Sequence, residues 1–395
     1  TGGPAPGGSP TAPAAPAAGG PKEDLLLGSI GTGSGPIGAQ VAAIPIAVRA
    51  WAADVNSRGG LGGHRVRVIF GDDGGDPARA LAIARQMVEQ DGVLILFGNY
   101  GATTVQAVIP YLEERHIPLV GGMSANPAED QSPMVFNAET GADLGTGRSF
   151  WTTVITLTKV EKVALLFCRE AQVCAGGAAR VREYAPVVKR QIVYEAQVSL
   201  AQPDFTAEVI AARNAGAEAF VGFIDFASWR RLISAAERQG WKPLFMGGPS
   251  VYDDQILQGD ADLVEGLLGY GRTTPYADSP RMADYRAAVK RHVPGGFLAD
   301  TGAAAWVNGK LLDHLVGLIG DAPVTREAIL GALHGLAGET LGGLVPPLRF
   351  PEGAHGRVNL CTTPVQVRQG KWVAPLGPDR FFCALDEGLT EVVVR

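Results

Sequence analysis

No run of apolar residues in this chain approaches the roughly 18 that a helix needs to cross a bilayer; the longest, over residues 93–97, is the size of a strand. Basic clusters are equally scarce. Nothing denser than Lys189-Arg190 or Arg230-Arg231 interrupts a balance of 40 acidic to 34 basic residues, a formal charge of -6, so nucleic acid is excluded as an expected partner. The start of the chain lacks the basic residues, apolar stretch and small-residue cleavage site of a signal peptide; a leader, if one existed, is expected to have been removed. Cysteines number four, with no CxxC spacing and no histidine beside either close pair, which argues against a zinc site and leaves no metal or cofactor expected.

What is present is globular and turn-rich: 46% apolar residues, 53 glycines and 27 prolines over 395 residues, enough for two domains at roughly 150 residues each. Residues 1–21 contain only Gly, Pro, Ala, Ser and Thr. With nothing to offset their ordering entropy they are expected to be a disordered tether that holds a domain off a surface. The cysteines fall as Cys168 with Cys174 and Cys361 with Cys383. Four cysteines allow three connectivities, and local pairing is the expectation, with buried free thiols as the alternative. Closing a loop of about 20 residues stabilises by roughly 3 kcal/mol, and such bonds persist only in oxidising compartments.

From residue 24 onward short apolar runs alternate with amphipathic stretches, the mark of repeated βαβ units and a mainly parallel sheet. Strands are expected at 25–30, 66–70, 93–97 and 117–120, and in a second series at 163–167, 191–198, 219–223 and 244–246. Asp76-Pro77 reads as an N-cap with proline at the first helical position, ahead of an apolar face of Leu81, Ala84, Met87 and Val88. Long helices are expected at 280–292 and 301–319, and crossings between lobes at 269–275 and 345–351.

Three loop motifs could carry chemistry. GTGSGPIG, from Gly31 to Gly38, has neither dinucleotide-fingerprint spacing nor the acidic residue that should follow about 20 positions on; it reads as a strand-to-helix turn, with Ser34 either facing a ligand or simply turning the chain. GMSAN, from Gly122 to Asn126, departs from the nucleophile elbow at its last position and is followed by Pro127. A hydrolase using Ser124 would also need a histidine in a strand-end loop, whereas His292, His314 and His334 fall within helix-like stretches. GNYGATT, from Gly98 to Thr104, places hydroxyls and amides at the positive end of a helix, which suits either a polar ligand group or plain capping by Thr103 or Thr104.

Taken in order, DLLLGSIGTGSGPIGAQ, the Asp-Pro helix start, VLILFGNYGATT, IPLVGGMSANP, AGAEAFVGF and RQGWKPLFMGG resemble the type I periplasmic binding proteins, nearest to the branched-chain amino acid binding proteins of ABC importers, over nearly all of residues 24–375. The resemblance implies an α/β fold of two Rossmann-like lobes with parallel sheets, joined by a three-crossover hinge, with a ligand cleft between them and no catalysis. It divides the chain into 24–141 plus 275–346 as lobe 1 and 142–274 plus 347–395 as lobe 2.

The resemblance also implies site positions. The turn after the third strand falls on Ala102 and Thr103, and the loop after the fourth on Met123, Ser124 and Ala125, where relatives hold an amino acid's carboxylate. Ala102 and Ala125 lack the expected hydroxyls. A ligand-facing tyrosine falls near Gln172 or Val173, a later aromatic on Asp225 or Phe226, and the acid that anchors the ammonium on Pro249. An ammonium buried without a carboxylate costs several kcal/mol, so a standard branched-chain amino acid is not the expected ligand. Phe223, Phe226, Tyr252, Tyr100 and Phe297 suggest instead an apolar-walled cleft for an aromatic or aliphatic acid, with Asp225 as a substitute anchor. The expected role is the extracytoplasmic component of an importer, a monomeric lipoprotein that meets the membrane only through its N-terminal anchor and delivers a small molecule to an ABC permease. The rival is the outer, ligand-sensing domain of a membrane receptor.

Overall fold

Residues 25–136 build one sheet, and residues 137–271 begin a second with the same winding. A computed structural model describes residues 22–395 except 35–37, 40, 124, 142, 249, 354–358, 386–387 and 395. In the first lobe β1 (Leu25–Gly31), α1 (Ala43–Ser57), β2 (Val66–Asp72), α2 (Pro77–Glu89), β3 (Ile95–Phe97), α3 (Val105–Glu114), β4 (Leu119–Val120), α4 (Pro127–Gln131) and β5 (Val135–Phe136) alternate. Their strands form a parallel sheet in the order β2-β1-β3-β4-β5, with Leu25 opposite Val66 and Leu27 opposite Ile95.

The second lobe runs through α5 (Asp143–Leu157), β6 (Lys162–Cys168), α6 (Gln172–Tyr184), β7 (Gln191–Val198), α7 (Thr206–Asn214), β8 (Ala219–Phe223), α8 (Phe226–Arg238), β9 (Leu244–Gly247) and β10 (Leu268–Gly271). Its order, β10-β9-β8-β6-β7, repeats the first winding. The chain then returns to the first lobe, where α9 (Ala283–His292) and α10 (Asp300–Ile319) pack on α1 and α11 (Arg326–His334) packs on α10. It crosses a third time into β11 (Cys361–Arg368), β12 (Lys371–Val373), β13 (Arg380–Leu385) and β14 (Gly388–Val393), which extend the second sheet antiparallel from β10.

Local chemistry explains the boundaries. Asp76 caps α2 by accepting from the amides of Ala78 and Arg79, and proline follows at the first helical position. In α1 the positions Ile44, Ala47, Val48, Trp51 and Val55 recur on one face and are buried. Trp51 packs on Phe97 at 4.7 Å, and α10 can approach it only because residue 309 is glycine, where a Cβ would lie 2.6 Å from the indole. The strand expected at 93–97 shortens to Ile95–Phe97, and that at 117–120 to Leu119–Val120. The helix expected at 280–292 opens with a single 3-10 turn, Pro280–Met282. First-lobe packing runs past the division expected at residue 346, because Phe350 is buried edge-on against Phe136, 5.5 Å away.

The three crossings lie side by side. The amide of Thr140 donates to the Arg272 carbonyl at 3.2 Å and that of Gly141 to the Asn359 carbonyl at 2.9 Å, while the Thr362 hydroxyl donates to the Gly271 carbonyl at 3.0 Å. Asn308 on α10 fixes the first crossing, accepting from the Ala138 amide at 3.0 Å and donating to Glu139 at 2.6 Å. Among the described residues no helix is long and apolar enough to cross a membrane.

Candidate functional site

In each sheet the strand order reverses once, between β1 and β3 in the first lobe and between β6 and β8 in the second, and an open α/β sheet binds ligands outside the carboxyl ends of its strands at such a point. A cleft of about 460 Å³ lies there. The first lobe supplies Ala102, Thr103 and Gln106 after β3, and Met123, residues 125–128 and Gln131 after β4. The second supplies Cys168, residues 172–174, Gly176, Gly177 and Arg180 around the start of α6, residues 223–225 after β8, and Leu200 and Ser250. Arg272 and Thr301, at the second crossing and the start of α10, close the cleft on the hinge side.

The loops are held in place by specific bonds. In GNYGATT the Thr104 hydroxyl is spent on Asp73, at 2.6 Å, which leaves Thr103 to face the cleft. Gly121 turns the chain after β4 with a φ of 72°, close against Asn308, where a Cβ would come within 2.5 Å. Beyond it Glu129 accepts from the amides of Ala125 and Asn126, both at 3.0 Å, while Asn126 caps α4 in return. Burial pushes the Glu129 carboxyl up to about 7 even though these two amides favour its charged form.

The second-lobe wall is built around a disulfide. Cys168 ends β6 and bonds to Cys174 in the first turn of α6, and both face the cleft. Cys361 and Cys383, directly opposite each other on β11 and β13, form the other bond. After Cys174 the helix presents Gly176 and Gly177. A Cβ on Gly177 would fall 2.7 Å from the Phe223 ring, whereas one on Gly176 would meet nothing within 4 Å. Phe223 is backed by Phe150 at 4.8 Å. Asp225 caps α8, one carboxylate oxygen accepting from the Ser228 amide at 2.7 Å.

At the hinge end Arg272 is almost wholly buried. Its Nε donates to Asp300 at 2.7 Å, its backbone amide to the other oxygen of Asp300 at 2.9 Å, and its Nη1 to the Met123 carbonyl. Burial alone would lower the guanidinium, but the charges of Asp300 and Glu139 outweigh it and hold Arg272 above its ordinary value. Burial raises the Asp300 carboxyl, against the pull of Arg272.

Of the residues expected at the site, the cleft gathers Ala102, Thr103, Met123, Ala125, Gln172 and Asp225. Ser124 and Pro249 lie outside the described residues. The aromatic wall needs correcting, since of Phe223, Phe226, Tyr252, Tyr100 and Phe297 only Phe223 lines the cleft. Tyr100 is 4% exposed, with its hydroxyl donating to the Gly71 carbonyl, and so belongs to the first-lobe core. Tyr252 stacks on Tyr276 at 4.4 Å and meets Trp372 at 5.1 Å behind the hinge. Phe226 opens α8 and packs on the core; Phe297 sits half-buried in the loop before α10. Ser34 is an exposed turn residue whose hydroxyl supports Asp72, away from the cleft. Arg180, Arg272 and Thr301 line it without having been anticipated; GYGRTTP gives only the arginine beside a glycine-bearing crossing as a signal. Among the described residues no histidine lines the cleft and no cluster of His, Cys, Asp and Glu could hold a metal.

Two lobes of like winding, three adjacent crossings and a cleft walled by both lobes define a hinged ligand-binding protein. The chain belongs to the type I periplasmic binding protein family, whose pattern matches residues 25–371. An amino acid binding protein from Pseudomonas aeruginosa is 25% identical over 251 residues, 62% of this chain and 65% of that relative, just under two thirds of its length. Among solved structures, a branched-chain amino acid ABC transporter protein from Thermus thermophilus with bound valine superposes with a TM-score of 0.75 at 18% identity, covering 91% of this chain and 97% of that one. A fatty acid ABC transporter substrate-binding protein from Thermomonospora curvata has a TM-score of 0.71 at 19% identity, covering 94% and 92%.

Proposed function

We propose that this chain is the extracytoplasmic solute-binding component of an ABC importer, a monomer that closes its lobes on a small aromatic or aliphatic acid and delivers it to a membrane permease, with residues 1–21 as its tether. The observation that carries this reading is the cleft itself, about 460 Å³, with strand-end loops of both lobes as its walls. Its body is apolar, from Met123, Val173, Leu200, Phe223 and Ile224, and bare Gly176 leaves open space on the helix face that lines it. Its charged lining is Arg180, Arg272 and Asp225, Arg272 being already paired with Asp300 behind it. Two disulfides suit an oxidising compartment, and relatives of this fold are named for amino acids and for fatty acids.

A thermal-shift panel of aromatic acids, short fatty acids and free amino acids tests this. A ligand at about 100 times its Kd stabilises by roughly 2.7 kcal/mol. An acid should raise the melting temperature and leucine should not; submicromolar leucine affinity by calorimetry would overturn the ligand class, and Asp225→Asn would then identify the anchor.

A further inference from the structure

The hinge end of the cleft holds two buried hydrogen-bonding atoms without a partner among the described residues. Among the described residues Arg272 Nη2 has no partner although its side chain is 4% exposed, and Thr301 Oγ1 has none although that residue is 3% exposed. Both residues line the cleft. A buried, unpaired guanidinium N–H is costly to leave unmade, so its presence in a folded cleft points to an acceptor that arrives from outside.

The surroundings say which acceptor. The other donors of Arg272 are committed to Asp300 and to the Met123 carbonyl, so only the Nη2 edge is left to serve a ligand. Both oxygens of Asp300 already accept from Arg272, and Glu139 accepts from Asn308. Thr301 is the second residue of α10, a helix of 20 residues whose positive end therefore adds to the same spot. Both donors line the cleft at this helix start, Arg272 through its pair with Asp300, the residue before Thr301; two such donors suit the two oxygens of a carboxylate, and hydrogen bonds between charged partners are the stronger kind.

We propose that Arg272 Nη2 and Thr301 Oγ1 form the subsite that receives the carboxylate of the ligand, with the apolar body of the molecule lying toward Phe223 and the bare helix face at Gly176. The subsite rests on the reading of the cleft as the ligand site. It places the acid group at the hinge, on residues that join the two lobes, so that ligand occupancy completes the bonding of a residue at the crossing itself. Arg272 and Thr301 are specificity-determining residues on this account.

Calorimetry with matched pairs tests it: phenylacetate against phenylacetamide, and 4-methylpentanoate against 4-methylpentanamide, on the unmodified chain and on Thr301→Val, Arg272→Lys and Gly176→Leu. The acids should bind at least about tenfold more tightly than their amides, and Thr301→Val should weaken the acids by about tenfold. Because Thr301 has no partner to lose, the valine variant should fold and melt as the parent does. Arg272→Lys, which cannot hold Asp300 and a ligand in the same fork, should lose the preference for acids. Equal affinity for acids and amides, or acid affinity unchanged in Thr301→Val, would overturn the subsite while the cleft stands, provided Gly176→Leu still abolishes binding. If no pair binds, or Gly176→Leu leaves binding intact, the cleft reading itself fails and the subsite with it.

Discussion

Arg272 and Asp300 meet across a lobe crossing: one directly follows the last parallel strand of the second lobe, the other begins the longest helix described in the first, and they share bonds at 2.7 and 2.9 Å with 4% and 1% of their side chains exposed. Removing one partner of a buried pair leaves an uncompensated charge, at a cost of roughly 3–5 kcal/mol. Asp300→Ala should therefore lower stability by about that much in urea, and Arg272→Ala plus Asp300→Ala should cost less together than the sum of the two. A loss under about 1 kcal/mol for Asp300→Ala would show that the pair does not hold the hinge.

The cleft disulfide should govern both stability and affinity. Replacing Cys168 and Cys174 by serine opens a loop of six residues' separation and should cost about 2 kcal/mol, while loosening the first turn of α6 where it faces the ligand. The expected result is weaker binding, with Cys361–Cys383 still intact in unreduced peptide maps. Peptides joining Cys168 to Cys361 or Cys383 would contradict the pairing.

Stability should fall as pH rises toward neutrality. Burial pushes both Glu129 and Asp253 up to about 7 in the folded chain, with the nearby charges of Asp130 and Glu139 adding to the rise at Glu129 and that of Asp254 at Asp253. In the unfolded chain both return to about 4. Between these values the folded state holds protons that the unfolded state has released, so the stabilisation is complete below about pH 4 and is lost as pH passes through about 7. Each group contributes on the order of 4 kcal/mol. Glu129→Gln should flatten the profile between pH 5 and 8; an unchanged slope, or stability that rises over that interval, would contradict this.

Gly176 offers a way to block the cleft without touching the core. A side chain there meets nothing within 4 Å, and exchanging a helical glycine for leucine should leave the unliganded protein equal or more stable by up to about 1 kcal/mol. Ligand affinity should nevertheless collapse. Retained affinity in a well-folded Gly176→Leu would move the ligand elsewhere.

Much of the fold was legible because the local signals agree with the global ones. The strands at 191–198 and 219–223 lie where the apolar runs place them, and Asp76 caps α2 as its Asp-Pro start implies. The antiparallel strands after residue 360 were not read, since an edge such as β14 is half exposed and carries no continuous apolar run. At the site, Thr103 and Asp225 came from positions carried over by the family resemblance, and both line the cleft. The aromatics do not: Tyr252 and Tyr100 look the same in sequence whether they face a ligand or a core, and here packing claims them. Arg272 and Thr301 were missed because the meaning of Arg272 depends on Asp300 and Met123, both far from it in the chain, taking up the rest of its guanidinium.

Small-angle scattering with and without a saturating acid ligand tests most directly whether one molecule bridges the two lobes. Ligand can bias an open-closed equilibrium only by its differential affinity for the closed form, which requires contacts from both sides. Thr103 and Thr301 on the first lobe and Asp225 and Phe223 on the second provide them. The account predicts a smaller radius of gyration on binding, lost in Gly176→Leu. An unchanged radius at saturation, with Thr103→Ala and Asp225→Asn both leaving affinity intact, would contradict it.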